Sequence, residues 1–103
     1  MHETYTCSIW VVPAGHEKDF APAFQQFAAG ATGLGAAEGF ILQDTDDPTR
    51  FIVVRRWDNP DALTRWQEDS SRRQQAGSAL AGITTEATEA YATRKVADLV
   101  PRI

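Results

Sequence analysis

The sequence predicts an α+β domain in which a four-stranded antiparallel sheet carries both of its helices on one face, in the order βαββαβ. Three observations carry this. Phe51 to Trp57 (FIVVRRW) is dense in β-branched and aromatic residues and runs directly into a helix start at Asp58-Asn59-Pro60. Upstream, Phe20, Phe24, Phe27, Ala28 and Ala31 recur at helical spacing. Between Phe40 and Phe51, the stretch Asp46-Asp47-Pro48-Thr49 reads as a turn, which makes the flanking apolar runs a hairpin.

Taken in order, Tyr5 to Val12 alternates as a first strand that ends at Pro13. Pro13-Ala14-Gly15 turns the chain, and the first helix begins between Glu17 and Phe20, because Pro22 is tolerated only near a helix start. Gly30 to Gly39 (GATGLGAAEG) predicts a loop. Its Gly33-Leu34-Gly35 does not make a dinucleotide fingerprint: the third glycine would fall on Glu38, and the stretch follows a helix instead of a strand. Phe40 to Asp44 is the second strand and Phe51 to Trp57 the third. A second helix starts at Pro60, with Ala62, Leu63 and Trp66 turned inward, and ends near Ser70, before a short irregular helical piece that stops at Gly82. The tail from Thr84 to Val96 fits either a strand, alternating Thr85, Ala87, Glu89 and Tyr91, or a helix through Ala87, Ala90, Tyr91 and Arg94. As a strand it completes a ferredoxin-like sheet.

The 103 residues make one domain, 1–103, able to bury roughly 65% of the surface that the unfolded chain exposes. A net charge of −4 argues against nucleic acid as a partner, since phosphate neutralisation needs a basic face. The single cysteine, Cys7, cannot form an internal disulfide or build a structural zinc site, so a cytoplasmic location is expected. The first twelve residues, MHETYTCSIWVV, lack a basic region before their apolar run, so neither a signal peptide nor a membrane span is expected. His2 and His16 have no partner at metal-site spacing, and no Ser or Cys has an evident His partner for nucleophilic catalysis. No metal and no cofactor is expected.

The first and third strands carry bulky apolar residues at both parities: Tyr5, Ile9 and Val11 against Trp10 and Val12, and Phe51, Val53 and Trp57 against Ile52 and Val54. Two helices cover one face of a four-stranded sheet and leave the other open. A second copy of the chain is the economical cover, which predicts a two-fold homodimer packed sheet to sheet.

The junction Trp57-Asp58-Asn59-Pro60-Asp61-Ala62-Leu63-Thr64-Arg65-Trp66 resembles the strand-to-helix junction of the antibiotic biosynthesis monooxygenase (ABM) domains, within the dimeric α+β barrel superfamily. The shared pattern is an aromatic strand end, a polar turn, an Ala-Leu pair and an aromatic residue facing the cavity. The resemblance extends over nearly the whole chain in element order and implies that the tail is the last strand and that the chain dimerises. Haem-degrading relatives carry an Asn in the first strand and a His about ten residues after the helix Trp. Here the first strand has no Asn and Ala76 stands in the later place, so haem degradation is not expected. Polyketide-oxidising relatives line the pocket with an Asn and a Trp of the second helix, a Tyr and an Arg. Trp66 matches by position and Asn59 lies near, while Tyr5, Tyr91 and Arg94 are candidates for the rest.

What the resemblance implies is oxygenation of an aromatic polyketide or quinol-like small molecule by O₂ without a cofactor. The bound substrate loses a proton and passes an electron to O₂, while the protein positions it and stabilises the anion. Trp66 and Asn59 would donate hydrogen bonds to the oxyanion, and Arg55, Arg56 or Arg94, whichever points inward, would supply charge. Phe20, Phe24 and Phe27 would form the apolar wall, with Trp10 or Tyr5 on the sheet side. The plainer readings are core for the aromatic residues, a helix cap for Asn59 and solvated surface for the arginines. A barrel that binds a small molecule, or folds an aromatic precursor as a cyclase does, would use the same pocket without O₂.

Overall fold

The structure is a computed structural model and describes residues 3–29, 36–68, 80, 83 and 87–100. Among them the elements follow as β1 (Thr4–Val11), α1 (Phe20–Ala29), β2 (Ala36–Gln43), β3 (Arg50–Trp57), α2 (Pro60–Glu68) and β4 (Glu89–Arg94). The strands form one antiparallel sheet in the order β2-β3-β1-β4. This is the ferredoxin-like α+β arrangement expected from the element order.

Register decides which side chains meet. On the helix side, Trp10 of β1 lies opposite Phe51, Ser8 opposite Val53, Thr6 opposite Arg55 and Thr4 opposite Trp57. Across β3, Ile41 and Gly39 of β2 face Val53 and Arg55. Phe20 and Phe24 of α1 pack on Trp10, Val12, Phe51 and Val53, and fully buried Leu80 joins that cluster. A second cluster forms where Ala62 and Leu63 of α2 close over Trp57, with Trp66 against its edge.

Local chemistry explains the element ends. The Asn59 Oδ1 accepts the Ala62 N–H at 2.9 Å, satisfying a free donor of the first turn of α2, with Pro60 at the position where a missing N–H costs nothing. The β2–β3 hairpin closes around Asp44, whose Oδ1 accepts the N–H groups of Asp46 at 2.8 Å and Asp47 at 3.2 Å. Those two bonds, with Arg50 beyond them, hold the Asp44 carboxyl below the usual carboxylate range. Gly15 turns the chain with φ of 97°, in the left-handed region, and donates its N–H to the Glu17 carboxylate.

Strand boundaries change, and one open reading is decided. β2 begins at Ala36, four residues before the predicted Phe40, and takes in the end of the glycine-rich stretch. Its register shifts between Ala36 and Glu38, and Gly39 lies so close to β3 that a Cβ there would overlap the Val54 carbonyl oxygen. Glycine here serves close backbone approach, which a reading by turn propensity mistakes for a loop. The tail, open between helix and strand, is β4, paired with β1 from Ile9–Glu89 to Thr4–Arg94. β1 itself starts and ends one residue earlier than predicted. The irregular piece expected between Ser70 and Gly82 lies outside the described residues apart from Leu80.

Candidate active site

Arg55 is the centre of the site. Strand alternation places it on the parity of Phe51, Val53 and Trp57, and so beneath the helices. α1 brings two rings to its guanidinium: Cζ lies 5.6 Å from the Phe24 centroid and 5.8 Å from that of Phe27. Trp57 of β3 stands at 5.4 Å and Trp66 of α2 at 5.3 Å. The rings hold one another, Phe27 edge-on to Phe24 at 5.5 Å and tilted against Trp66 at 5.2 Å. Trp66 in turn leans on Trp57 at 6.1 Å.

Ring faces attract a cation, by about 0.5–2 kcal/mol per contact. They cannot accept the directional hydrogen bonds a guanidinium offers. The Arg55 Nη2 is buried and has no hydrogen-bond partner among the described residues. Burial pushes the Arg55 pKa down to about 10, and no carboxylate among the described residues offsets that shift. The group is still charged at neutral pH and carries an unmatched positive charge in an aromatic enclosure. A site of this kind can hold an anion and exclude water from it.

Beside Arg55 the sheet supplies two hydroxyls. The Trp57 indole donates its Nε1–H to Thr6 Oγ1 at 3.1 Å, and the Trp10 indole donates to Ser8 Oγ at 2.8 Å. β4 adds the small Ala90 and Ala92 on the same face, opposite Ser8 and Thr6.

The structure therefore brings Phe24, Phe27 and Trp66 together around Arg55, and it packs Trp10 and Phe20 into the adjoining core. Asn59 is exposed, with its carbonyl oxygen occupied by the α2 cap. Arg94 is exposed at the end of β4, opposite Thr4. Tyr5 and Tyr91 lie on the opposite face of the sheet, where their hydroxyls donate to Glu3 and Glu89, each at 2.8 Å. Tyr5 lines a shallow cavity of about 270 Å³ there, with Phe40, Val54 and the Arg56–Glu38 ion pair. His16 contacts Asp19 in the solvated turn before α1. Among the described residues no three His, Cys, Asp or Glu side chains come together as a metal-binding group.

Trp57, Thr6 and Ser8 were not foreseen as site residues. Parity held the signal for Arg55, which shares it with Phe51, Val53 and Trp57. The two hydroxyls left no comparable mark, because Ser and Thr are ordinary in a strand.

The sequence profile of the antibiotic biosynthesis monooxygenase family matches residues 8–76. The chain belongs to this family. The ABM chain also superposes on solved structures along nearly its whole length. SnoaB, named as a cofactor-independent oxygenase from Streptomyces nogalater, aligns with a TM-score of 0.71 at 19% identity, covering 97% of each chain. A candidate antibiotic biosynthesis monooxygenase from Chloroflexus aurantiacus J-10-fl gives 0.72 at 17% identity, covering 93% of this ABM chain and 95% of its own. Another, from Nitrosomonas europaea, gives 0.67 at 20% identity over 97% and 93%. At such identities the likeness is one of fold. No curated protein matches the chain in sequence.

Proposed function

We propose that this ABM protein is a small cofactor-independent monooxygenase that oxidises an aromatic polyketide or quinol-like molecule with O₂. The observation that carries the reading is the unmatched Arg55 guanidinium enclosed by Phe24, Phe27, Trp57 and Trp66. The substrate is planar and stacks among the rings. Its oxygen faces Arg55, and the positive charge lowers the cost of removing a proton from the activated position. The resulting anion passes one electron to O₂, and the radical pair combines into a hydroperoxide. Loss of water from that adduct turns a CH₂ into a C=O, so that CH₂ and O₂ become C=O and H₂O with no outside reductant. SnoaB, which shares the fold, is named as a cofactor-independent oxygenase.

In this reading Trp66, Phe24 and Phe27 form the walls, with Phe20 and Trp10 supporting them from the core. Arg55 takes the charge role for which Arg94 was a candidate, and Asn59 acts by fixing the start of α2. The working unit is a homodimer joined through the open sheet face that includes Tyr5 and Tyr91, in the reducing cytoplasm. No helix among the described residues is long and apolar enough to cross a membrane.

The test is O₂ uptake by purified, metal-free protein over a panel of anthrones, naphthols and quinols, with quinone formation followed by absorbance. The expected result is uptake in step with product, reduced at least tenfold in Trp66→Phe. Silence over the panel, with ligand binding still visible in Trp fluorescence, would replace the oxygenase with a binding or cyclase-like module. Full activity of Trp66→Phe would remove Trp66 from the site.

A further inference from the structure

We infer that Thr6 and Ser8 are donors to the ligand, and that with Arg55 they form a row that takes an aromatic hydroxy compound as its oxyanion in preference to the neutral form. This deepens the proposed function by giving the ionisation state of the substrate at the same site, and it rests on that reading only for where the ligand lies.

The argument begins with hydrogen-bond capacity. A hydroxyl has one proton to donate and two lone pairs to accept with. In both residues one lone pair is engaged by an indole N–H, from Trp57 at Thr6 and from Trp10 at Ser8. Neither hydroxyl proton has an acceptor among the described residues, so each is available to a ligand. Accepting a bond also polarises an O–H and strengthens it as a donor. Both indoles are held by packing, since Trp57 and Trp10 are buried in the two core clusters. Each hydroxyl therefore has a fixed acceptor side.

Register puts the donors together. Thr6 is directly opposite Arg55 across the β1–β3 pair. Ser8 follows two residues on, about 7 Å along the same face. β4 places the small Ala92 and Ala90 opposite Thr6 and Ser8. Across β3, Gly39 stands opposite Arg55 with no side chain.

Among the described residues no acid competes for this row. α1 contains no ionisable side chain. On α2, Asp61, Arg65 and Glu68 are exposed. From β2, Glu38 turns to the other face and pairs with Arg56. On the described strands the remaining ionisable group on the helix side is the cationic, exposed Arg94. A ligand that lays its oxygens along this row thus meets donors and positive charge, which favour its ionised form.

The test uses 7-hydroxycoumarin, a planar hydroxyarene whose neutral and ionised forms absorb at different wavelengths, titrated against pH without O₂ in the presence and absence of saturating protein. The ionisation midpoint is expected to fall by at least one pH unit on binding, a tenfold or greater preference for the anion. Ser8→Ala and Thr6→Val should each reduce that preference about threefold, and Arg55→Met should abolish it. Near-UV circular dichroism checks that Thr6→Val leaves Trp57 in place, and Ser8→Ala provides an independent reading from the neighbouring position. A midpoint that stays or rises overturns the inference, as does a full shift in both hydroxyl variants or failure of either probe form to bind. The oxygenase reading fails separately: a lowered midpoint without O₂ uptake in air keeps the donor row and removes the oxygenase.

Discussion

Replacing Arg55 by Met removes a guanidinium whose Nη2 has no partner and leaves an unbranched apolar chain among the same four rings. An unmatched buried charge opposes folding, as the downward shift of the Arg55 pKa to about 10 indicates. Arg55→Met is therefore expected to stabilise the fold by about 1–3 kcal/mol in urea unfolding, even as it abolishes the preference for an anionic ligand. The lost cation–π attraction works against this gain and keeps it modest. A clear loss of stability would mean that Arg55 serves the fold, and would weaken its assignment to a ligand. At this scale the sequence offered Arg55, Arg56 and Arg94 for the charge, with Arg94 as the candidate pocket arginine, and strand parity separates them. Arg55 points under the helices, Arg56 points away to Glu38, and Arg94 is exposed on β4.

Among the elements, β2 bears most directly on the site, because its Gly39 lies against the backbone of Val54 and Arg55. A Cβ there would overlap the Val54 carbonyl oxygen and come within 3.0 Å of the Arg55 Cα. Gly39→Ala should cost about 1–3 kcal/mol, since two paired backbones must separate to admit it. Gly15→Ala makes the useful contrast: its Cβ would meet nothing within 4 Å, but its φ of 97° is strained for alanine, at about 1 kcal/mol. Unfolding of both variants in urea should rank Gly39 as the more damaging, with weaker ligand binding in Gly39→Ala alone. The reverse order would remove the close approach as the reason for glycine in β2. The α2 start was legible at this scale because its cap and Pro60 act within a few residues of chain. The start of β2 was not, because what Gly39 meets is supplied by β3.

For the whole molecule the open face of the sheet matters most. Val11 is 45% exposed, Leu42 47%, Tyr91 53% and Phe40 56%, on the same face as Tyr5, Cys7, Ile9, Ile52 and Val54. Ion pairs stand among them, Arg56 with Glu38 at 3.1 Å and Lys95 with Glu3 at 3.8 Å. An apolar centre with polar pairs is the composition of a protein interface, and a second copy would meet it with the same surface. Light scattering at micromolar concentration should give twice the chain mass of 11.3 kDa, and Phe40→Glu should shift that toward the single chain. A wild-type monomer would sink the homodimer.

The sequence by itself determined the α+β class, the helix starts, the hairpin and a doubly apolar sheet, because periodicity, caps and turn chemistry act over a few residues of chain. Its resemblance to the ABM domains supplied the family and the expectation that the tail is a strand. Tertiary structure decided that Thr84 to Val96 contributes β4, since either periodicity suits that stretch and pairing with β1 selects one. It also decided the composition of the site. Arg55 meets rings from α1, β3 and α2, and the hydroxyls of Thr6 and Ser8 acquire their fixed indole partners only when Trp57 and Trp10 are packed. A charge without a partner is a property of the space around it, and that space is assembled from residues far apart in the chain.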